Sequence, residues 1–253
     1  MFRADFRTLT TVAGPSRAVL WSRPWCKNEA VTSAGPGRPR HQQPSRPGAT
    51  ARDEILDAAA ELFTTQGFAS TSTRSIADAV GIRQSSLYHH FKTKDDILED
   101  LLEGTVSGSL KFARAVAALP AEQAGTHRPA GSQLHAVALY DGTQLCSARW
   151  NLGVLYHLPE VRTTRFARFL SHRQELRRLY GELGGGLSAT AAGPDGGDFT
   201  FRLVESLIYL RADGAVTAES ALQAADAGLI LCGRGDQLPA IRTASQALIN
   251  QLA

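Results

Sequence analysis

The sequence of 253 residues is poor in cysteine and contains no long uninterrupted apolar run. Its three cysteines, Cys26, Cys146 and Cys232, are far apart, and none lies in a CxxC pair or a His-rich neighbourhood. This spacing disfavours both a disulfide framework and a structural zinc site, so we expect a reduced, cytoplasmic chain. No stretch approaches the roughly 18 consecutive apolar residues that a membrane span requires.

Sequence motifs of the common enzyme classes are also missing. GxSxG, HExxH, the Walker A loop and the dinucleotide-binding GxGxxG do not occur, and the glycines between residues 184 and 197 precede no strand-to-helix turn. His89 and His90 are adjacent, so they point in different directions and have no third metal ligand at useful spacing. An enzyme is therefore a remote alternative, and we expect neither a cofactor nor a metal.

Positive charge is concentrated at the start of the chain. Residues 1–50 contain eight Lys or Arg and two Asp or Glu, which leaves 19 basic and 22 acidic residues, a net charge of −3, in the remainder. Any attraction to nucleic acid must then come from a local patch or from the tail. Because prolines interrupt residues 1–49, we predict a disordered basic tail there. It could be a DNA-binding arm, sequence upstream of a misassigned start codon, or a transit peptide.

After the tail, apolar residues recur at helical spacing. Thr50 and Asp53 have the spacing of a capping box, and Gly67 is placed to end the first helix. The apolar stripe of this helix consists of Ile55, Ala58, Ala59, Leu62 and Phe63. Further helices are predicted at 73–80, 84–91, 94–118, 131–148, 161–183, 199–212, 217–232 and 240–252, with a short helical turn near 150–157. Because no segment shows sustained period-two alternation, we predict an all-α fold without a sheet.

The stretch from Gly67 to Lys94 has the outline of a helix-turn-helix. Ser72 is suited to cap one short helix, and Gly81 makes the turn into the next. The second helix has only two turns and must be held by packing through Leu87 and Phe91. In a helix-turn-helix this second helix enters the major groove of DNA.

Polar side chains at the start of the second helix are the candidate base readers. Arg83 can pair with guanine and Gln84 with adenine, each worth about 1 to 3 kcal/mol of discrimination, and Ser85 and Ser86 lie beside them. Candidate phosphate contacts are the hydroxyl, imidazole and cationic groups of Ser72, Thr73, Arg74, Tyr88, His89 and Lys94. The alternative for Tyr88 is a place in the core, as we predict for Phe91.

Residues 54–103 resemble the DNA-binding half of the tetracycline-repressor (TetR) family of bacterial regulators. The resemblance is carried by ILDAAAELFTTQGF (55–68), by SLYHHFKTKDDIL (86–98), and by Thr71, Ser72, Arg74, Ile76, Ala77 and Gly81. It implies an all-helical homodimer with a helix-turn-helix domain at 50–96 and a ligand-binding and dimerisation domain at 97–253. Arg83 departs from the family, which usually has a capping Ser or Thr there, so it either loses a cap worth about 1 kcal/mol or reaches for DNA.

The remainder of the chain matches the family only in being helical. Candidates to line a ligand cavity, with ordinary core positions as the alternative, are Tyr140, Arg149, Trp150, Tyr156, Phe166 and Phe169. The helices at 199–212 and 217–232 are apolar on more than one side, which predicts a four-helix bundle with a second copy. The residues assigned to that dimer interface, with burial inside one subunit as the alternative, are Val204, Leu207, Ile208, Leu222 and Leu229.

The sequence therefore predicts a ligand-responsive transcriptional regulator, most readily a repressor that a small molecule releases from a palindromic operator. Its expected partners are double-stranded DNA, a second copy of the chain and a small-molecule effector. An activator or an architectural DNA-binding protein without a ligand is the alternative. We expect the effector signal to pass along the helix at 94–118, which runs from the helix-turn-helix into the second domain.

Overall fold

The computed structural model describes residues 46–120, 128–187 and 196–253, all within one compact unit, Gln42–Ala253. The predicted disordered tail lies outside the described residues as far as residue 45. Over the described residues the chain forms α-helices and no β-strand, which confirms the predicted all-α class. The helices are α1 (Ala51–Thr65), α2 (Thr73–Val80), α3 (Gln84–His90), α4 (Lys94–Ala117), α5 (Ser132–Ser147), α6 (Ala167–Gly184), α7 (Gly196–Ala212), α8 (Ser220–Leu231) and α9 (Leu238–Leu252).

Residues 50–96, the predicted DNA-binding domain, contain the first three helices and the start of α4, and we call them the head. Helix α1 packs against α2 and α4, and α2 packs against α3. Capping boxes begin α1, α2 and α4, with Thr50, Ser72 and Thr93 as the capping residues. In each box the cap hydroxyl accepts a hydrogen bond from the third helical N–H, and the third side chain accepts one from the cap N–H. The sequence predicts the Thr50 box and the caps at Ser72 and Thr93, and all three are present. Local chemistry therefore sets where these three helices start.

Residues 97–253, the predicted second domain, contain most of α4 and the remaining helices, and we call them the body. Its helix α5 packs against α7, α8 and α9, while α4 packs against α6. Helices α6 and α7 approach each other closely at Gly197. A Cβ at this position of α7 would lie only 1.9 Å from the carbonyl oxygen of Tyr180 on α6. A side chain at that position would force the two helices apart. Among the described residues, no helix has the length and apolarity to cross a membrane.

The predicted helix at 161–183 begins later than expected. The short turn predicted near 150–157 is present as a 3-10 helix at Leu152–His157. Two further 3-10 turns, Pro159–Arg162 and Thr164–Phe166, then precede α6, which starts at Ala167. Thr163 interrupts the path, because its backbone is extended, with φ −84° and ψ 162°. Its hydroxyl donates to the carbonyl of Glu160 at 2.9 Å, a local bond that competes with helix.

A buried hydrogen-bonding cluster joins three helices of the body. His135 on α5 is fully buried, with Nε2 3.0 Å from the carboxylate of Asp226 on α8 and Nδ1 2.8 Å from the hydroxyl of Ser245 on α9. Arg242 donates to both carboxylate oxygens of Asp226. Burial lowers the pKa of His135, although the hydrogen bond and charge of Asp226 act in the opposite direction.

A second buried acid is Asp141 on α5. Its side chain accepts a hydrogen bond of 2.9 Å from the hydroxyl of Tyr180. Burial raises the pKa of Asp141 from 3.8 to about 6, although the hydroxyls of Ser109 and Tyr180 act to lower it. A raised carboxyl pKa means that the folded chain holds this proton more tightly than the unfolded chain.

Replacing this acid should therefore stabilise the protein in a pH-dependent way. The stability contributed by Asp141 is highest below about pH 4 and is lost as the pH rises through about 6. Asp141→Asn keeps an acceptor for Tyr180 and should raise the free energy of unfolding at pH 7.5 by up to about 3 kcal/mol. Urea unfolding should show this gain shrinking toward zero near pH 4. The exposed Asp213→Asn is the control, and an equal gain at both pH values would contradict the assignment.

Candidate nucleic-acid interface

The turn between α2 and α3 directs the short third helix outward. Gly81 ends α2 in the left-handed conformation, with φ 71°, and its N–H donates to the carbonyls of Ala77 and Asp78. Leu87 is fully buried and Phe91 is nearly so, and both pack in the core of the head. The guanidinium of Arg52 lies 4.8 Å from the centre of the Phe91 ring. Packing through these two side chains holds α3, as the sequence predicts, and leaves its first turn at the surface.

The four candidate base readers lie at this exposed end. Arg83, Gln84 and Ser85 are exposed, and Ser86 is half-buried. Arg83 precedes α3 with an extended backbone, and its side chain makes no capping hydrogen bond within the described part of the chain. The departure from the family pattern therefore does remove a cap. The guanidinium of Arg83 therefore lies at the start of α3, the end of the helix that would approach the bases.

Three of the candidate residues form a cluster on the outer face of the head. The amide nitrogen of Gln84 donates to the hydroxyl of Thr73 at 3.0 Å and to that of Tyr88 at 3.3 Å. The two hydroxyls are themselves 3.1 Å apart. Tyr88 is 40% exposed, so it is a surface residue rather than the core residue of the alternative interpretation. To contact adenine, Gln84 would exchange these internal hydrogen bonds for contacts to the base.

The other candidate phosphate contacts differ in the hydrogen bonds and ion pairs that they already make. Ser72, Arg74 and His89 are exposed, although the Ser72 hydroxyl accepts from the backbone of Ser75 in the capping box. Arg74 lies 3.9 Å from Asp78 in a fully hydrated pair, which is weak. Arg74 and His89 can turn toward DNA at little cost, whereas Ser72 would lose its capping bond if it turned.

Lys94 is engaged inside the head. Its ammonium donates to the carbonyls of Phe68 at 2.7 Å and Thr71 at 2.9 Å, and it lies 4.1 Å from the centre of the Phe68 ring. Two of its three N–H donors therefore hold the turn between α1 and α2. Sequence reasoning missed this role because the partners lie more than twenty residues earlier. A phosphate contact through the third donor stays a prediction.

Removing the Lys94 ammonium should therefore reduce stability as well as DNA binding. Lys94→Met keeps the aliphatic stem but leaves two carbonyls without their charged donor, which should lower the free energy of unfolding by about 1.5 to 3 kcal/mol. Urea denaturation followed by circular dichroism measures the difference. Lys92→Met, at an exposed neighbour, should change stability by less than about 0.5 kcal/mol. Equal effects of the two substitutions would show that the contacts of Lys94 contribute nothing.

Among the six predicted cavity residues, the rings of Tyr156 and Phe169 pack together with their centres 5.2 Å apart. Phe166 and Phe169 are buried in the core, and Tyr140 stacks on Phe112 with ring centres 4.3 Å apart. The hydroxyl of Tyr156 donates to Thr105 at 2.7 Å, and burial raises its pKa far above the ordinary value. Arg149 and Trp150 contact Asp57 on α1 of the head. An open groove of about 650 Å³ beside α9 includes none of the six, and its lining includes Leu119, Pro129, Ala244 and Leu248.

The predicted dimer residues lie mostly inside a single chain. Leu222 is half-buried, whereas at most 3% of the surface of Val204, Leu207, Ile208 and Leu229 is exposed. These four residues are therefore buried inside one subunit, as the alternative interpretation predicts. Both helices are apolar on more than one side, so periodicity alone could not show which side faces the chain's own core. The large apolar side chains that α7 and α8 leave exposed are Phe199, Tyr209, Leu210, Ile230 and Leu231.

A metal site has no support in the described ranges. No group of three or more His, Cys, Asp or Glu side chains in residues 46–120, 128–187 and 196–253 could hold an ion. His89 in particular lies exposed on α3.

Comparison with known sequences places the head among bacterial regulators. The family model described as "Bacterial regulatory proteins, tetR family" matches residues 55–101. The HTH-type transcriptional repressor KstR2 of Mycolicibacterium smegmatis is 49% identical over 59 residues, which is 23% of this chain and 28% of that protein. The HTH-type transcriptional regulator AcrR of Shigella flexneri is 44% identical over 52 residues, which is 21% of this chain. The chain thus spans about a quarter of the length of these curated relatives, 28% and 24%.

Solved structures extend the similarity into the body. AmtR of Mycobacterium smegmatis is 48% identical, with a TM-score of 0.74, over 82% of this chain and 98% of that chain. The ketosteroid transcriptional regulator KstR2 of Mycobacterium tuberculosis is 20% identical, with a TM-score of 0.54, over 74% of this chain and 94% of that chain. The first similarity covers nearly a whole protein, and the second concerns the fold alone.

Proposed function

This chain belongs to the TetR family of bacterial regulatory proteins, and we propose that it represses transcription from a palindromic DNA operator until a small molecule releases it. The family consists of DNA-binding regulators rather than enzymes. The observation that carries the proposal is the placement of α3, whose first turn is exposed and polar while Leu87 and Phe91 anchor it in the core. KstR2, which shares the head, is named a repressor, and this supports repression over activation.

Operator reading would follow from the geometry of the head. Arg83 and Gln84 would contact base edges in the major groove, with Ser85 and Ser86 close to the same bases. Hydroxyl and cationic groups at the rim, from Ser72, Thr73, Arg74, Tyr88 and His89, would contact phosphates and set the register. Two heads related by a two-fold axis would contact half-sites about 34 to 36 Å apart, or a multiple of that spacing.

The effector would act through the body. Helix α4 has 24 residues without a break, a length of roughly 36 Å, and extends from the head into the body. The hydroxyl of Tyr156 donates to Thr105 on α4, and Tyr140 on α5 stacks on Phe112 further along α4. A small molecule that favours one position of α4 would change the spacing of the two heads and lower operator affinity.

Selection of bound sequences from a random duplex pool tests this function. The wild-type chain should enrich one palindrome, and Gln84→Ala should relax the preference at one base pair per half-site by about 1 to 3 kcal/mol. Gln246→Ala, at an exposed glutamine on α9, is the matched control and should leave the selected sequence unchanged. A wild-type chain that ignores duplex DNA even at low ionic strength would overturn the proposal.

We place the homodimer interface on the exposed apolar side chains of α7 and α8. Gly228 packs directly against Thr200, so the end of α8 lies beside the start of α7. Phe199, Ile230 and Leu231, each more than half exposed, lie on these adjoining ends. Exposed apolar groups concentrated in this way are typical of protein interfaces. A second copy of the chain would cover them by packing α7 and α8 against their symmetry mates.

A charge placed in this patch should separate the subunits. Leu231→Glu would bury an unpaired carboxylate in the dimer and should raise the dimer dissociation constant at least about 30-fold. Sedimentation velocity across a concentration series measures the change, and Tyr209→Glu repeats the test at the other end of α7. Leu170→Glu, at an exposed leucine on α6, is the control. Dimers that survive both substitutions on α7 and α8 would place the interface elsewhere.

A further inference from the structure

Asp57, on α1 of the head, is an acceptor shared by two distant parts of the chain. Arg46, which precedes α1, donates to its Oδ2 at 3.1 Å. The indole N–H of Trp150, between α5 and the following 3-10 turn, donates to its Oδ1 at 3.0 Å. The guanidinium of Arg149 is 3.3 Å from the same carboxylate. The Asp57 side chain is only 12% exposed, so these donors largely replace water around it.

On the head side, these contacts lead toward the recognition helix. Arg46 donates through Nε to the carbonyl of Ala79 at 3.1 Å and through Nη1 to Glu61 at 2.6 Å. Ala79 lies two residues before Gly81, which makes the turn into α3. Arg46 thus joins α1 to the end of α2 at the point where the direction of α3 is set.

On the body side, the segment that carries Trp150 is fixed to the end of α7. Arg211 donates to the carbonyl of Leu145 at 2.7 Å and also to that of Ala148. Asn151 donates to the carbonyl of Ile208 at 2.9 Å. These bonds hold the end of α5 and the residues after it against α7. A movement of α7 would therefore carry Trp150 with it.

We infer that Asp57 is a positioning residue for operator binding, which fixes the head on the body through Trp150 and Arg149 and fixes the end of α2 through Arg46. The inference rests on the proposed DNA-binding function. Asp57 would not contact DNA. It would hold the two recognition helices of a dimer at the spacing of the operator, in parallel with α4. Rearrangement of the body would then weaken binding by withdrawing Trp150 from Asp57.

The test uses Asp57→Asn in the full chain, because asparagine keeps the shape of the side chain and removes its charge. Residues that connect two sites in this way change their coupling by about 0.5 to 2 kcal/mol, so the operator dissociation constant should rise about 2- to 30-fold. The selected operator sequence should stay the same, because positioning rather than base reading is lost. Glu182→Gln removes an exposed ion pair with Arg178 on α6 and should leave operator affinity unchanged.

A fluorescence measurement separates positioning from general stability. The sequence has three tryptophans, so Trp21→Phe with Trp25→Phe leaves Trp150 as the reporter. Operator duplex should reduce acrylamide quenching of Trp150, since the bound state selects the closed contact. Asp57→Asn should raise the quenching and remove the effect of the operator. A purely structural Asp57 would give quenching that operator does not change in either chain, which overturns the inference.

A second substitution guards against a folding defect. Trp150→Phe removes only the indole donor and should weaken operator binding in the same direction, and the double variant should bind no more weakly than Asp57→Asn alone. If wild type binds its operator and both single variants bind equally well or more tightly, the inference fails while the proposed function stands. If wild type binds no duplex, the proposed function fails instead.

Discussion

A helix of two turns is marginal in water, so the proposed DNA-reading surface depends on the burial of Leu87 and Phe91 beneath α3. Because Leu87 and Phe91 face the core, the side chains on the other side of α3, at its polar first turn, face solvent. The αL turn at Gly81 and the capping boxes of α1, α2 and α4 place the neighbouring helices around it. Recognition in this chain is therefore a property of the core of the head as much as of its surface.

Local chemistry made much of the fold predictable. The Thr50 capping box, the left-handed Gly81 and the apolar stripe of α1 all involve residues within a few positions of each other, so a single sequence reveals them. The break at Thr163 escaped prediction because it depends on a local bond from the Thr163 hydroxyl to the carbonyl of Glu160, which apolar periodicity does not reveal. The inward sides of α7 and α8 could not be assigned either, since a helix that is apolar around its girth carries no directional signal.

Contacts between distant residues account for the rest. Trp150 and Arg149 were reasonable cavity candidates by residue type, yet their partner, Asp57, lies more than ninety residues earlier. Lys94 was a reasonable phosphate contact, yet two of its donors hold the turn after α1. In both cases the residue type predicted a polar interaction correctly, and the protein itself supplies a partner that the sequence did not reveal.

The contact of Gly197 with the carbonyl of Tyr180 has a mechanical consequence for the body. Main chain touches main chain there, so α7 cannot rotate at a subunit boundary without displacing α6. Because the hydroxyl of Tyr180 also donates a hydrogen bond to Asp141, such a rotation would disturb the surroundings of this buried acid. Dimer formation would then be coupled to the ionisation of Asp141. The coupling would pass through the backbone contact between α7 and α6 and the hydroxyl of Tyr180.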